Sequence, residues 1–217
     1  MEPNPIQTYR TKSRPEKLNK ARTITSFDPE PAAKLAKELL ESIKAPFAVI
    51  GRIAVWAYLP PEAQEFTKDI DLAVPLECIA SIEEQLKKRN IAYRPLVIGG
   101  IGTTDKAIHI DFIDRRQYHQ QLFREAIDET QKQGNSINIG AVAMPLVPVE
   151  FLIALKMVSG EPKDDNDVKR LLEYAELDYK KSRDIVMKHL GPAIADRLDV
   201  FAREVGRPEV PKRNYYE

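Results

Sequence analysis

Asp69, Ile70 and Asp71 form an acid–apolar–acid triplet, and a further acid, Asp111, stands later in the chain between Ile110 and Phe112. Side chains alternate along a strand, so Asp69 and Asp71 project from one face while Ile70 and Leu72 hold the other against a core. Two carboxylates that close repel each other unless a cation sits between them. Mg2+ is the natural candidate, being hard, oxygen-seeking and about 2.0–2.1 Å from its ligands. Paired metals in phosphoryl-transfer sites lie about 3.5–4 Å apart, and a D-x-D on one strand can serve both. Asp111 suits the part of third carboxylate, because in its strand it faces away from Ile110 and Phe112. Asp114 falls off that face. A D-x-D alone is most often a solvated strand edge; its place after a strand, a glycine turn and a helix, echoed by a second acidic strand, points to a metal site.

These acids need elements to carry them. Residues 47–50 (FAVI) read as a short buried strand, and Gly51 allows a sharp turn in which the backbone comes close to a phosphate. A helix follows over 53–59 and is stopped by Pro60-Pro61. The spacing predicts the Asp69–Asp71 strand over 68–74, then a helix opened by Pro75 and carrying Leu76, Ile79, Ile82 and Leu86. A strand is expected over 91–98, ended by Gly99-Gly100, and the Asp111 strand over 106–113. A helix over 118–128 and a strand pair around 136–144 complete this half. From Pro148 onward the apolar spacing turns helical. Leu152 and Leu155, then Val168, Leu171 and Leu172, then Ile185, Val186 and Leu190 mark three helices, and Ile194, Leu198, Phe201 and Val205 a fourth. Upstream, Asp28-Pro29 reads as a helix start for the Ala32, Leu35, Ala36, Leu39, Ile43 pattern. The expected organisation is a basic leader (1–26), an α/β domain (27–145), a helical domain (146–206) and a tail (207–217). The fold class expected is thus α/β (α+β): a small mixed sheet with flanking helices, then helices alone.

Composition narrows the function. The 217 residues hold 33 Lys+Arg against 33 Asp+Glu, and this zero net charge excludes a protein that grips nucleic acid by bulk charge alone. A local patch is available in Arg10, Lys12, Arg14, Lys17, Lys20 and Arg22, which read either as a solvated leader or as an arm for a phosphate backbone. A single cysteine, Cys78, rules out a disulfide framework or a Cys-rich zinc site and suits a reducing compartment. The opening residues are too polar for a signal peptide. The apolar stretches 45–61 and 141–155 are interrupted by Arg52 and Glu150, so neither spans a bilayer. A cytoplasmic protein without a membrane partner is expected.

Together, Val49-Ile50-Gly51-Arg52, Asp69-Ile70-Asp71 and Asp111 resemble the signature of the nucleotidyltransferase superfamily built on the DNA polymerase β-like fold. The segment PVEFLIALKMVSGEPKDDNDVKRLL looks like the region of abortive-infection toxins of type IV toxin–antitoxin systems in which a helix lysine precedes a Lys-Asp-x-x-Asp stretch. Lys156, Lys163, Asp164 and Asp167 take those positions, and the resemblance covers about residues 30–175. It implies a transferase that moves a nucleoside monophosphate from an NTP such as ATP to an acceptor hydroxyl. Asp69 and Asp71 would hold Mg2+ on the triphosphate, and Asp111 would be third ligand or base. Gly51 would lie under the phosphates, Lys156 would neutralise charge developing on them, and Asp167 would be a supporting carboxylate. In the toxin-like version the acceptor is RNA or a tRNA end, and an antitoxin protein restrains the enzyme. A non-catalytic relative that binds RNA, nucleotide or protein is the alternative. Two positions depart from the pattern. Arg52 stands where the family prefers Gly or Ser, although a guanidinium can clamp phosphate directly. Glu161 stands where these toxins commonly carry a basic residue.

The remaining candidates have bland readings. His109 shares the Asp111 face, while His119 and His189 lack partners at metal-ligand spacing. Trp56 and Cys78 read as core, and Asp164-Asp165-Asn166-Asp167 lacks the glycine and distal Glu of a calcium loop.

Overall fold

The computed structural model describes residues 28–64, 67, 69–105, 108–116 and 118–207. The basic residues between Arg10 and Arg22, and the tail beyond Arg207, lie outside the described residues. The chain divides into two compact units, one drawn from Met1–Ala57 and Glu65–Pro148, the other from Tyr58–Gln64 and Val149–Glu217.

The first unit opens with helix α1 (Glu30–Ser42), whose start is held by Asp28 Oδ1 accepting the Glu30 N–H at 3.0 Å. Its apolar stripe, Ala32, Ala33, Ala36, Leu39 and Leu40, is buried. Five strands form the sheet: β1 (Ala48–Ile50), β2 (Ile70–Ala73), β3 (Tyr93–Pro95), β4 (Ile101–Thr103) and β5 (Ile110–Ile113). Their spatial order is β1-β2-β5-β4-β3, with β2 and β5 parallel and the other pairs antiparallel. Around the sheet run α2 (Gly51–Tyr58), α3 (Ile79–Lys88) and α4 (Gln120–Gln133), and a separate hairpin pairs β6 (Ser136–Ile139) with β7 (Val142–Pro145). The protein is therefore of the mixed α/β class, as expected. Ile70, Leu72, Ile110 and Phe112 are fully buried and Ile101 nearly so, which fixes one face of the central strands as core.

The expected elements differ from the observed ones in three ways. The β2 strand is only four residues long, so Asp69 precedes it rather than lying within it. Pro75 is extended (ψ 142), and a 3-10 turn over Leu76–Cys78 comes before α3. The run expected as one strand over 91–98 yields the short β3, and the glycine-rich stretch after it forms a further strand, β4.

Among the described residues, the second unit holds four α-helices, α5 (Val149–Met157), α6 (Pro162–Tyr174), α7 (Tyr179–Leu190) and α8 (Pro192–Glu204), and a 3-10 turn over Pro61–Ala63. Of the residues that predict these helices, Leu152, Leu155, Val168, Leu171, Leu172, Ile185, Val186, Leu198 and Phe201 are buried, while Leu190, Ile194 and Val205 are half-buried and Val205 lies just past α8. Proline stands at the start of α6 and α8, where its missing N–H costs nothing. Asp178 caps α7 by accepting the Lys181 N–H at 2.9 Å. Inside, the Tyr179 hydroxyl donates to Asp199 Oδ1 at 2.6 Å, and Arg183 Nε donates to the same oxygen at 2.9 Å. Among the described residues, no helix is long and apolar enough to cross a membrane.

Candidate functional site

Parallel pairing of β2 with β5 sets Asp71 directly beside Asp111, in the same row that aligns Leu72 with Phe112. Paired residues share a face, so burying Leu72 and Phe112 forces both acids to the opposite side. Asp69 joins them from just before β2. There the Ile70 N–H donates to the His109 carbonyl at 3.0 Å, and Asp69 Oδ1 accepts the Thr67 hydroxyl at 2.6 Å. One carboxylate oxygen from each of Asp69, Asp71 and Asp111 lies within 4.8 Å of the others. Oxygens around one six-coordinate Mg2+ are separated by about 3–4 Å, so small rotamer adjustments let all three grip an ion.

Two glycines clear the space. A Cβ on Gly51, whose φ is +65°, would come within 1.8 Å of Asp71 Oδ2. A Cβ on Gly102, paired with Asp111 in β4, would stand 2.3 Å from Asp111 Oδ1. The acids thus lean over bare backbone on both sides. Burial pushes the Asp111 carboxyl above its ordinary range and the Asp69 charge pushes it further, while Arg94 and His109 oppose the rise. Half-buried acids that repel each other and lean over bare backbone are a donor set suited to a hard divalent cation. Thr103 steadies the approach to Asp111, its hydroxyl donating to the Ile108 carbonyl and accepting the Ile110 N–H at 3.0 Å.

Other expected residues have different surroundings. Arg52 lies in the first turn of α2 and is half-buried. Asp114 is buried and bound to Arg116, whose Nη2 approaches its Oδ2 at 2.8 Å and whose backbone N–H donates to Oδ1. Cys78 ends the 3-10 turn half-buried rather than sitting inside a helix, and burial with the Glu77 charge pushes its thiol up. That leaves it a poor nucleophile. Trp56 is buried in α2.

Lys156, Lys163, Asp164 and Asp167 belong to the helical unit. Lys156 Nζ sits 2.7 Å from Asp164 Oδ1 and 2.8 Å from Asp167 Oδ2, with side-chain exposures of 11%, 10% and 2%. Ser159 donates to Asp164 Oδ2. Burial alone would raise the Asp164 carboxyl, but the Lys156 charge and the hydrogen bonds from Lys156 and Ser159 hold it below the usual range. Lys163 is exposed and pairs with Glu161 at 3.0 Å.

Sequence reasoning missed Thr67, Gly102 and Arg94. The signal for Gly102 was present, since a glycine between apolar and β-branched residues often marks a close approach. It was hidden by the turn-like run Gly99-Gly100 before it.

No family model matches the chain, and no curated protein matches it. Among solved structures it is similar to the antibiotic-resistance factor ANT(2'')-Ia, at 14% identity over 82% of this chain and 93% of that one, with a TM-score of 0.42. It is also similar to an antigenic nucleotidyltransferase-like protein from Paracoccidioides brasiliensis, at 14% identity over 81% of this chain and 91% of that one, with a TM-score of 0.44.

Proposed function

We propose that the protein is a divalent-cation-dependent nucleotidyltransferase, which moves a nucleoside monophosphate from an NTP to an acceptor hydroxyl. The observation that supports this reading is the convergence of Asp69, Asp71 and Asp111 over Gly51 and Gly102, where an added Cβ would run into the Asp71 and Asp111 carboxylates. Asp69 and Asp71 would hold Mg2+, with Asp111 as third ligand, and the bound ion would neutralise charge on the triphosphate. Gly51 admits the phosphates close to the backbone at the start of α2. In the alternative role, Asp111 accepts the proton of the attacking hydroxyl. An oxygen–phosphorus bond forms at the α-phosphate, the α–β bridge breaks and pyrophosphate leaves.

Arg52 supplies positive charge toward the nucleotide in this reading. The toxin-like version adds RNA or a tRNA end as acceptor and an antitoxin partner. It rests on the Lys156, Lys163, Asp164 and Asp167 spacing.

Incubation with Mg2+, each labelled NTP and total RNA or lysate tests the activity. Label should pass to an acceptor, and Asp69→Ala or Asp71→Ala should lower transfer on the order of 10³-fold with unchanged circular dichroism. Absence of NTP and Mg2+ binding at millimolar concentration would replace the enzyme with a binding module of the same fold.

A further inference from the structure

The strand register extends the carboxylate row to the far edge of the sheet. Asp71 pairs with Asp111, Asp111 with Gly102, and Gly102 with Arg94. Directly paired residues project to one face, so Arg94 stands on the carboxylate face two strands from Asp111. At about 4.8 Å per strand, their backbones are roughly 10 Å apart. Gly102 fills the interval with backbone only. The gap is walled by Asp111 on one side and by Leu96 on the other, whose Cδ2 would lie 3.1 Å from a Cβ at Gly102. Arg94 is exposed and stands on the same face as Asp111, with Gly102 between them.

The two ends of the row differ. Gly51 continues directly from β1, which flanks Asp71, whereas Arg94 lies on β3 beyond Asp111. If the triphosphate lies over Gly51, Arg94 is on the side from which the acceptor arrives. A guanidinium offers a planar fork of donors that fits a phosphate and repels a cationic acceptor.

We propose that Arg94 is the acceptor-side anion contact, holding a phosphate ester that lies about one sugar's length from the hydroxyl at Asp111, with Gly102 as the floor between them. This rests on the nucleotidyl-transfer reading and specifies its acceptor class: a phosphorylated alcohol, free or at a nucleic-acid end.

Arg94→Ala and Arg94→Lys in the full chain test it. Transfer is measured to an oligoribonucleotide, a 5′-mononucleotide, the matching unphosphorylated nucleoside and a simple sugar phosphate. Arg94→Ala should raise KM for the phosphate-bearing acceptors at least tenfold, leave the nucleoside and the NTP unaffected, and be partly rescued by Arg94→Lys. A preference for the oligoribonucleotide assigns the phosphate to a nucleic-acid end, and equal use of the small phosphates assigns it to a free alcohol. A parallel binding titration in the Asp69→Ala background, without turnover, should show the same loss. For the oligoribonucleotide, the salt slope should fall by about one. Equal loss with the nucleoside, a raised KM for the NTP, or unchanged binding of every phosphate compound would overturn the role of Arg94. If wild-type protein transfers no label, or transfer survives Asp69→Ala, the enzyme reading fails, and the binding titration still decides Arg94.

Discussion

Each of the two units gathers a group of acids, largely buried in the helical unit and half-buried in the sheet unit. In the helical unit, Lys156 lies between Asp164 and Asp167 at ion-pair distance, and Asp164 is held ionised. In the sheet unit, Asp69, Asp71 and Asp111 crowd together, and Asp111 is pushed toward its protonated form. Both arrangements pay for burying charge. The helical one recovers the cost internally by joining α5 to α6. In the sheet unit the raised Asp111 carboxyl marks a cost that a bound divalent cation would relieve.

Removing the internal cation should have the largest effect. Lys156→Met leaves two buried carboxylates uncompensated and should lower stability by about 3–5 kcal/mol in urea unfolding. Adding Asp164→Asn and Asp167→Asn should restore much of the loss; a mild effect of Lys156→Met alone would show that the cluster is wetter than its burial implies. Next comes Gly51→Ala. It meets the Asp71 carboxylate in a left-handed backbone and should cost about 1–3 kcal/mol. Its Mg2+-induced rise in Tm should also vanish.

Smaller and of opposite sign is Asp111→Asn. It relieves desolvation and the repulsion from Asp69, so the metal-free protein should melt a few degrees higher at neutral pH, while losing the stabilisation by Mg2+ seen in the wild type. The pH dependence sharpens the contrast. Asp164, held low, contributes stability at neutral pH that is lost as pH falls below the usual carboxylate value of about 3.9. Asp111, held high, costs stability above that value, and the cost disappears as pH falls through its raised one. The Tm advantage of Asp111→Asn should therefore shrink between pH 7 and about 4, and an advantage that is constant across that range would contradict the assignment. The smallest effect belongs to an exposed pair outside both clusters. Glu77→Gln, which breaks the Arg124 contact at 3.1 Å, should change stability by less than about 0.5 kcal/mol.

Where periodicity and packing coincide, the fold is legible in the sequence. Alternation around Asp71 and Asp111 predicts which side each acid takes, because Leu72 and Phe112 have only one place to go. The helical unit is legible for the same reason, its buried leucines and valines recurring at helical spacing. What escaped is structure set by partners distant in the chain. The β4 strand reads as loop because Gly99, Gly100 and Gly102 have no side chains to alternate, and only pairing with β5 and β3 makes Ile101–Thr103 a strand. Arg94 carries no local sign of its position for that reason. Lys156 is marked by its spacing, but the two carboxylates that hold it become visible only once α5 meets α6.

The side-by-side alignment of β2 with β5 also limits how the gene can change. Within Ile110–Ile113, one deleted or inserted codon would rotate the strand's alternation by half a turn, sending a hydrocarbon to water and an ionised oxygen into the interior. Length variation in natural or laboratory variants should consequently be absent from these four positions.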